Sequence, residues 1–101
     1  MALPDNNGYV EYVAIPRDAT AVRLSPKKSM IIGGVQVNKG ELGTVAAAWI
    51  PRLGHVHVKN INLVEITAAD STIAYHRTTA LGFCSTDKAT FDADLARYAA
   101  G

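Results

Sequence analysis

The residues of this 101-residue chain best suited to chemistry are its three histidines. His55 and His57 stand two apart in His55-Val56-His57-Val58. On a β-strand, residues i and i+2 share a face, so both imidazoles can address one ion. His76 becomes a third ligand only if the fold brings it alongside. The competing reading needs no ion: two histidines on the wet face of a strand whose dry face is Val56 and Val58. That second arrangement is the expectation, with His55, His57 and His76 kept as the candidate metal ligands.

The pair resembles the His-x-His of cupins, whose metal site is completed by a carboxylate a few residues on and by a distant histidine. The resemblance covers these two residues. The next carboxylate is Glu65, and the cupin glycine and proline pattern does not surround the pair. It implies a small metal-binding β-barrel enzyme, which stands as the alternative function. Asp70, Ser71 and His76 supply the residue types of a nucleophilic site. They lack the Gly-x-Ser-x-Gly signature that sets a serine on a strand-to-helix elbow. Gly40 follows Lys39, the reverse of the order in a phosphate loop, and Gly33, Gly34, Gly40 and Gly43 do not fit dinucleotide spacing. Cys84, in Leu81-Gly82-Phe83-Cys84, reads as a buried small hydrophobe. No catalytic residue and no cofactor is expected.

Composition removes further classes. Lys and Arg number 10 against 9 Asp and Glu, for a formal charge of +1. Such a balance lacks the broad positive field of a dedicated nucleic-acid binder, so no nucleic-acid partner is expected. Ser25-Pro26-Lys27-Lys28 resembles the Ser-Pro-Lys-Lys units of linker-histone tails, which turn into the DNA minor groove. Here it occurs as a single copy and reads as a solvated turn. One cysteine excludes an internal disulfide. The start, Met1-Ala2-Leu3-Pro4-Asp5, carries neither the basic nor the apolar region of a signal peptide. The longest apolar run, 45–50, is far short of the ~20 residues a membrane-spanning helix needs. Cytoplasmic synthesis and no membrane partner follow as expectations.

These side chains must be positioned by a series of short elements. Residues 1–8 read as an extended arm preceding one β-rich domain, 9–101. Residues 9–15 alternate, with Tyr9, Glu11, Val13 and Ile15 on one face and Val10, Tyr12 and Ala14 on the other. Residues 19–25 form a weaker strand, Val22 and Leu24 opposing Arg23. Residues 30–66 read as three consecutive strands: 30–37, in which Gly33-Gly34 is a bulge in preference to a tight two-residue hairpin; 41–50, a long central strand entered through a hairpin loop at 38–40, in which Ala46 to Ala48 could be helical by propensity but Gly43, Thr44, Val45 and Pro51 suit a strand; and 55–66, entered through a turn at 51–54. In the last of these the apolar parity changes at Lys59-Asn60, which requires a bulge or a turn. Residues 72–84 make a final strand with a break at Gly82. Ser85, Thr86 and Asp87 introduce a helix over 87–99. Its apolar stripe is Phe91, Leu95 and Tyr98, and Asp94 and Arg97 fall on its solvent side.

The expected fold is therefore all-β in character, or β-rich α+β: a small antiparallel sandwich or partly open barrel of about six strands with one C-terminal helix. The apolar content is 49% of residues but aromatics are only 7%, so the core is thin and built from small side chains. Trp49 is either its anchor, which average burial favours, or an interface anchor. With no site chemistry and near-zero net charge, the expected function is a structural or interaction subunit of a larger protein assembly. The setting expected is a bacteriophage virion, as a capsid decoration, cement or connector protein. The expected partners are other protein subunits, in a homo-oligomer or a hetero-assembly. Leu3, Tyr9, Tyr12, Trp49, Phe91 and Tyr98 are the interface candidates, and the arm is expected to dock by strand addition. A second alternative is an inhibitor or adaptor acting through surface contacts.

Overall fold

The computed structural model describes residues 12–80 and 82–100. The arm 1–8 with Leu3, and Tyr9 with the start of the first strand, lie outside the described residues. The chain is strand-rich, with antiparallel sheets and one C-terminal helix, consistent with the expected small β-sandwich or open barrel. No helix among the described residues is long and apolar enough to cross a membrane.

The strands are β1 (Tyr12–Ala14), β2 (Ala21–Pro26), β3 (Met30–Ile32), β4 (Val35–Val37), β5 (Gly43–Thr44), β6 (His55–His57), β7 (Ile61–Thr67), β8 (Ile73–Thr79) and β9 (Gly82–Thr86). A short helical turn, α1 (Ile50–Leu53), precedes β6, and α2 (Lys88–Ala100) ends the chain. Five strands form the main sheet in the order β5-β2-β7-β8-β9. β1 pairs with β6, and β3 with β4, as two separate ribbons.

Register assigns the two faces of the main sheet. Val22 opposes Ile66 and Leu24 opposes Val64, and on β8 and β9 this face continues through His76, Thr78 and Phe83. Val22, Val64 and Phe83 are wholly buried and cluster with Val13 of β1, Val56 of β6, and Ile32 and Val37 of the β3–β4 ribbon. The ribbons therefore cover this face as a second layer. The opposite face carries Arg23, Leu63, Glu65, Tyr75 and Arg77, and α2 lies over its β8 side. Phe91 of α2 is fully buried, its ring 5.0 Å from that of Tyr75.

Several expected boundaries change. Gly33-Gly34 is a two-residue turn and not a bulge: both glycines have positive φ, 60° and 83°, the conformation that joins twisted strands tightly. The three-strand meander over 30–66 does not form, because β3 pairs with β4, β6 pairs with β1, and β5 and β7 enter the main sheet on either side of β2. The long strand 41–50 is reduced to Gly43–Thr44, after which Ala47–Trp49 make a 3-10 turn that runs into α1. The helix propensity of the alanines prevails there, and Pro51 falls in the first turn of α1, where its missing N–H costs nothing. Trp49 is 58% exposed and is no core anchor. The parity change at Lys59-Asn60 is a turn. The strand 72–84 is a hairpin, β8–β9. Among the described residues nine short strands stand where about six were expected.

The helix begins as expected: the Thr90 N–H donates to the Asp87 carboxylate at 3.0 Å. Asp94, however, is buried and not on the solvent side. Its carboxylate accepts a hydrogen bond from Arg77 on the sheet and pairs with Arg97 at 3.3 Å.

Candidate interaction surface

The histidines are not gathered into one site. His55 and His57 are exposed on either side of buried Val56, the wet-face arrangement expected of them. Tyr12 stacks obliquely on His55 with ring centroids 5.1 Å apart. His57 Nδ1 accepts the Lys59 N–H at 3.1 Å, which commits that nitrogen to the turn. His76 belongs to the main sheet, where it opposes Val64 and Ser85 and is 3% exposed. Burial holds its pKa below the usual 6.5. Among the described residues no group of three or more His, Cys, Asp or Glu is arranged to hold a metal ion. Asp70 and Ser71 sit in the exposed β7–β8 turn, the Asp70 carboxylate capping the Thr72 N–H at 3.0 Å, away from the buried His76 strand position. Cys84 is half-buried, not fully buried.

The interface candidates divide. Trp49 is open, with the Arg52 guanidinium 5.5 Å above its ring, a pairing that holds a large aromatic at the surface. Tyr12 and Tyr98 are half-buried. Phe91 is taken up within the chain, under α2, and is not offered at a surface.

The residues that sequence reading passed over are on the β3–β4 ribbon. Ile31 and Val35 are each 64% exposed, and Met30 is 38% exposed. Ile32 and Val37 are spent on the core, so the ribbon's remaining apolar groups have no layer of their own to enter. The signal was present in Gly33-Gly34: a two-residue turn makes an isolated ribbon, one face of which must meet solvent or a partner. The ribbon lies close against the main sheet's edge. A Cβ on Gly33 would lie 2.2 Å from the Thr44 carbonyl oxygen and 3.6 Å from the Ala46 nitrogen, so its backbone is pressed onto the end of β5 and the segment that follows it. That segment leads to the Trp49 turn, whose Trp49 N–H donates to the Ala46 carbonyl at 2.9 Å. The ribbon and the Trp49 turn are thus neighbours on a common support.

Beside the base of the ribbon lies a groove of about 440 Å³ lined by Lys27, Lys28, Ser29, Met30, Lys59 and Asn60. Its two walls are joined by the Lys27 N–H donating to the Asn60 carbonyl at 2.9 Å. Comparison with family models, with curated proteins and with solved structures finds no match to this chain.

Proposed function

We propose that this chain is a structural or interaction subunit of a larger protein assembly, and that it makes contact through the β3–β4 ribbon and the adjoining Trp49 turn. The observation that carries this reading is the exposure of Ile31 and Val35 at 64% each on a ribbon already anchored by Ile32 and Val37. Apolar groups gathered on one projecting element lose free energy to water that a partner's surface recovers. Trp49 with Arg52 adds residue types that dominate the energetics of protein contacts.

The occupant committed to is a second copy of the chain. Ile31 leaves the ribbon on the face it shares with Gln36, and Val35 at its tip on the face of Ile32. A projecting ribbon self-complements about a two-fold axis, Ile31 and the Val35 tip of one copy covering those of the other, and such isologous pairing is the commonest form of assembly. The narrower virion setting rests on composition and the lack of site chemistry, and remains a proposal at that level. Mass measurement by light scattering across a concentration series tests the reading. A dimer or closed oligomer that dissociates on dilution is the expected outcome. A monomer throughout would count against it.

A further inference from the structure

We infer that the groove between residues 27–30 and the 58–60 turn is a binding site for an acidic, extended peptide segment presented by a partner protein. The inference rests on the interaction reading above and adds the chemistry of what is bound. Its first support is the distribution of charge. Arg23 pairs with Glu65, Arg77 and Arg97 with Asp94, and Lys88 with Asp92, all on α2 or on the sheet face it covers. Lys27, Lys28 and Lys59 have no carboxylate partner among the described residues, and they converge on one groove.

The second support is that the backbone bearing these lysines is fixed by hydrogen bonds from main-chain N–H groups. Pro26 pairs with Ile61 across a register shift after Ser25, which turns the chain out of the sheet just before Lys27. The Lys27 N–H bond to Asn60 then closes the two walls, and Lys59 is set by its own N–H bond to His57. The main chain that carries Lys27 and Lys59 is thereby held in place on both sides of the groove, so a ligand orders the lysine side chains but not the backbone beneath them.

The third support selects the ligand. The groove has two walls, residues 27–30 and 59–60, and an apolar element, Met30, among its polar lining. An extended peptide with alternating carboxylate and aliphatic side chains meets both: carboxylates to the ammonium groups, an aliphatic group on Met30. A nucleic acid is less well served. No aromatic or arginine lines the groove for base stacking, and three lysines give little counterion release.

Fluorescence anisotropy on the full chain tests this with a labelled synthetic peptide alternating Asp with Val. The comparison probes are the same peptide with Lys for Asp, and a single-stranded oligonucleotide of equal charge. Saturable binding of the acidic peptide, weakened by salt and reduced about tenfold or more in Lys27→Glu/Lys59→Glu, is the expected result. Should that variant misfold by circular dichroism, Lys27→Ala/Lys28→Ala/Lys59→Ala takes its place. Equal binding of the lysine peptide, tighter binding of the oligonucleotide, or undiminished binding by the lysine variants overturns the inference. The same lysine variants are weighed by light scattering. If the wild type associates as expected and the lysine variants associate like it, yet the wild type binds no acidic peptide, the groove inference fails and the reading of the ribbon stands.

Discussion

Arg77 of β8 and Asp94 of α2 join the sheet to the helix through a hydrogen bond of 3.2 Å, with Asp94 nearly buried and Arg77 about one-third exposed. Few other polar contacts among the described residues hold α2 down, and its apolar stripe is short, so this pair fixes where along the sheet the helix sits. Asp94→Asn is expected to lower stability by about 1 kcal/mol in denaturant unfolding, because Arg77 can be rehydrated once released. Arg97→Ala, which removes the exposed partner, is expected to cost less than half of that.

A second charge pair crosses β2 and β7. Arg23 Nε donates to Glu65 Oε1 at 2.7 Å and Nη2 to Oε2 at 2.5 Å, a bidentate fork between directly opposed residues. The hydrogen bond to Glu65 holds the Arg23 guanidinium pKa above its usual value. Glu65→Gln keeps the shape but loses the fork, and about 1–2 kcal/mol of stability should go with it. A double-mutant cycle with Arg23→Gln measures the coupling directly.

His76 supplies a pH dependence. Its folded pKa is depressed by burial, so between the unfolded value near 6.5 and the folded value the unfolded chain binds the extra proton. The stability His76 contributes is complete above about pH 6.5 and is lost as pH falls through the depressed pKa. Thermal unfolding temperatures of the wild type should therefore decline on acidification in this range, and His76→Gln should flatten the slope there. Losses at lower pH belong to carboxylates such as Asp87, whose pKa is lowered by its cap to Thr90.

Two glycines separate conformational strain from close approach. Gly34 has φ of 83°, and a methyl group added to it would meet nothing within 4 Å, whereas Gly40, with φ of 86°, would place a Cβ 2.3 Å from the Ala99 Cα. Gly34→Ala is expected to cost about 1 kcal/mol, the left-handed penalty alone. Gly40→Ala must also push the 38–41 loop off the end of α2, and should cost at least twice as much in the same unfolding experiment.

The sequence showed fold class and the wet-face histidines because both depend on short-range pattern. Alternation around Val22 and Leu24, and Asp87 ahead of Phe91, are local signals with local causes. Pairing partners are not local. Nothing in His55-Val56-His57 specifies that it pairs with Tyr12–Ala14 and not with the strand that follows it. Over 41–50, strand and helix propensities were nearly balanced, and Ala46 to Ala48 with Pro51 tipped the outcome toward helical turns. Asp94 was misplaced because helical spacing assigns a face but cannot show Arg77 waiting on the sheet beneath it. The exposed ribbon residues were hidden by treating Gly33-Gly34 as a bulge, which would have merged β3 and β4 into one covered strand.

Sedimentation equilibrium of the wild type beside Ile31→Lys/Val35→Lys tests the central claim most directly. Both side chains are 64% exposed, so the substitutions leave the core intact and unfolding curves should be nearly unchanged. The wild type is predicted to sediment as a concentration-dependent oligomer, and the variant as a monomer with the same circular dichroism spectrum. An oligomer unaffected by the two lysines, or a wild type that stays monomeric at every concentration, would contradict the account.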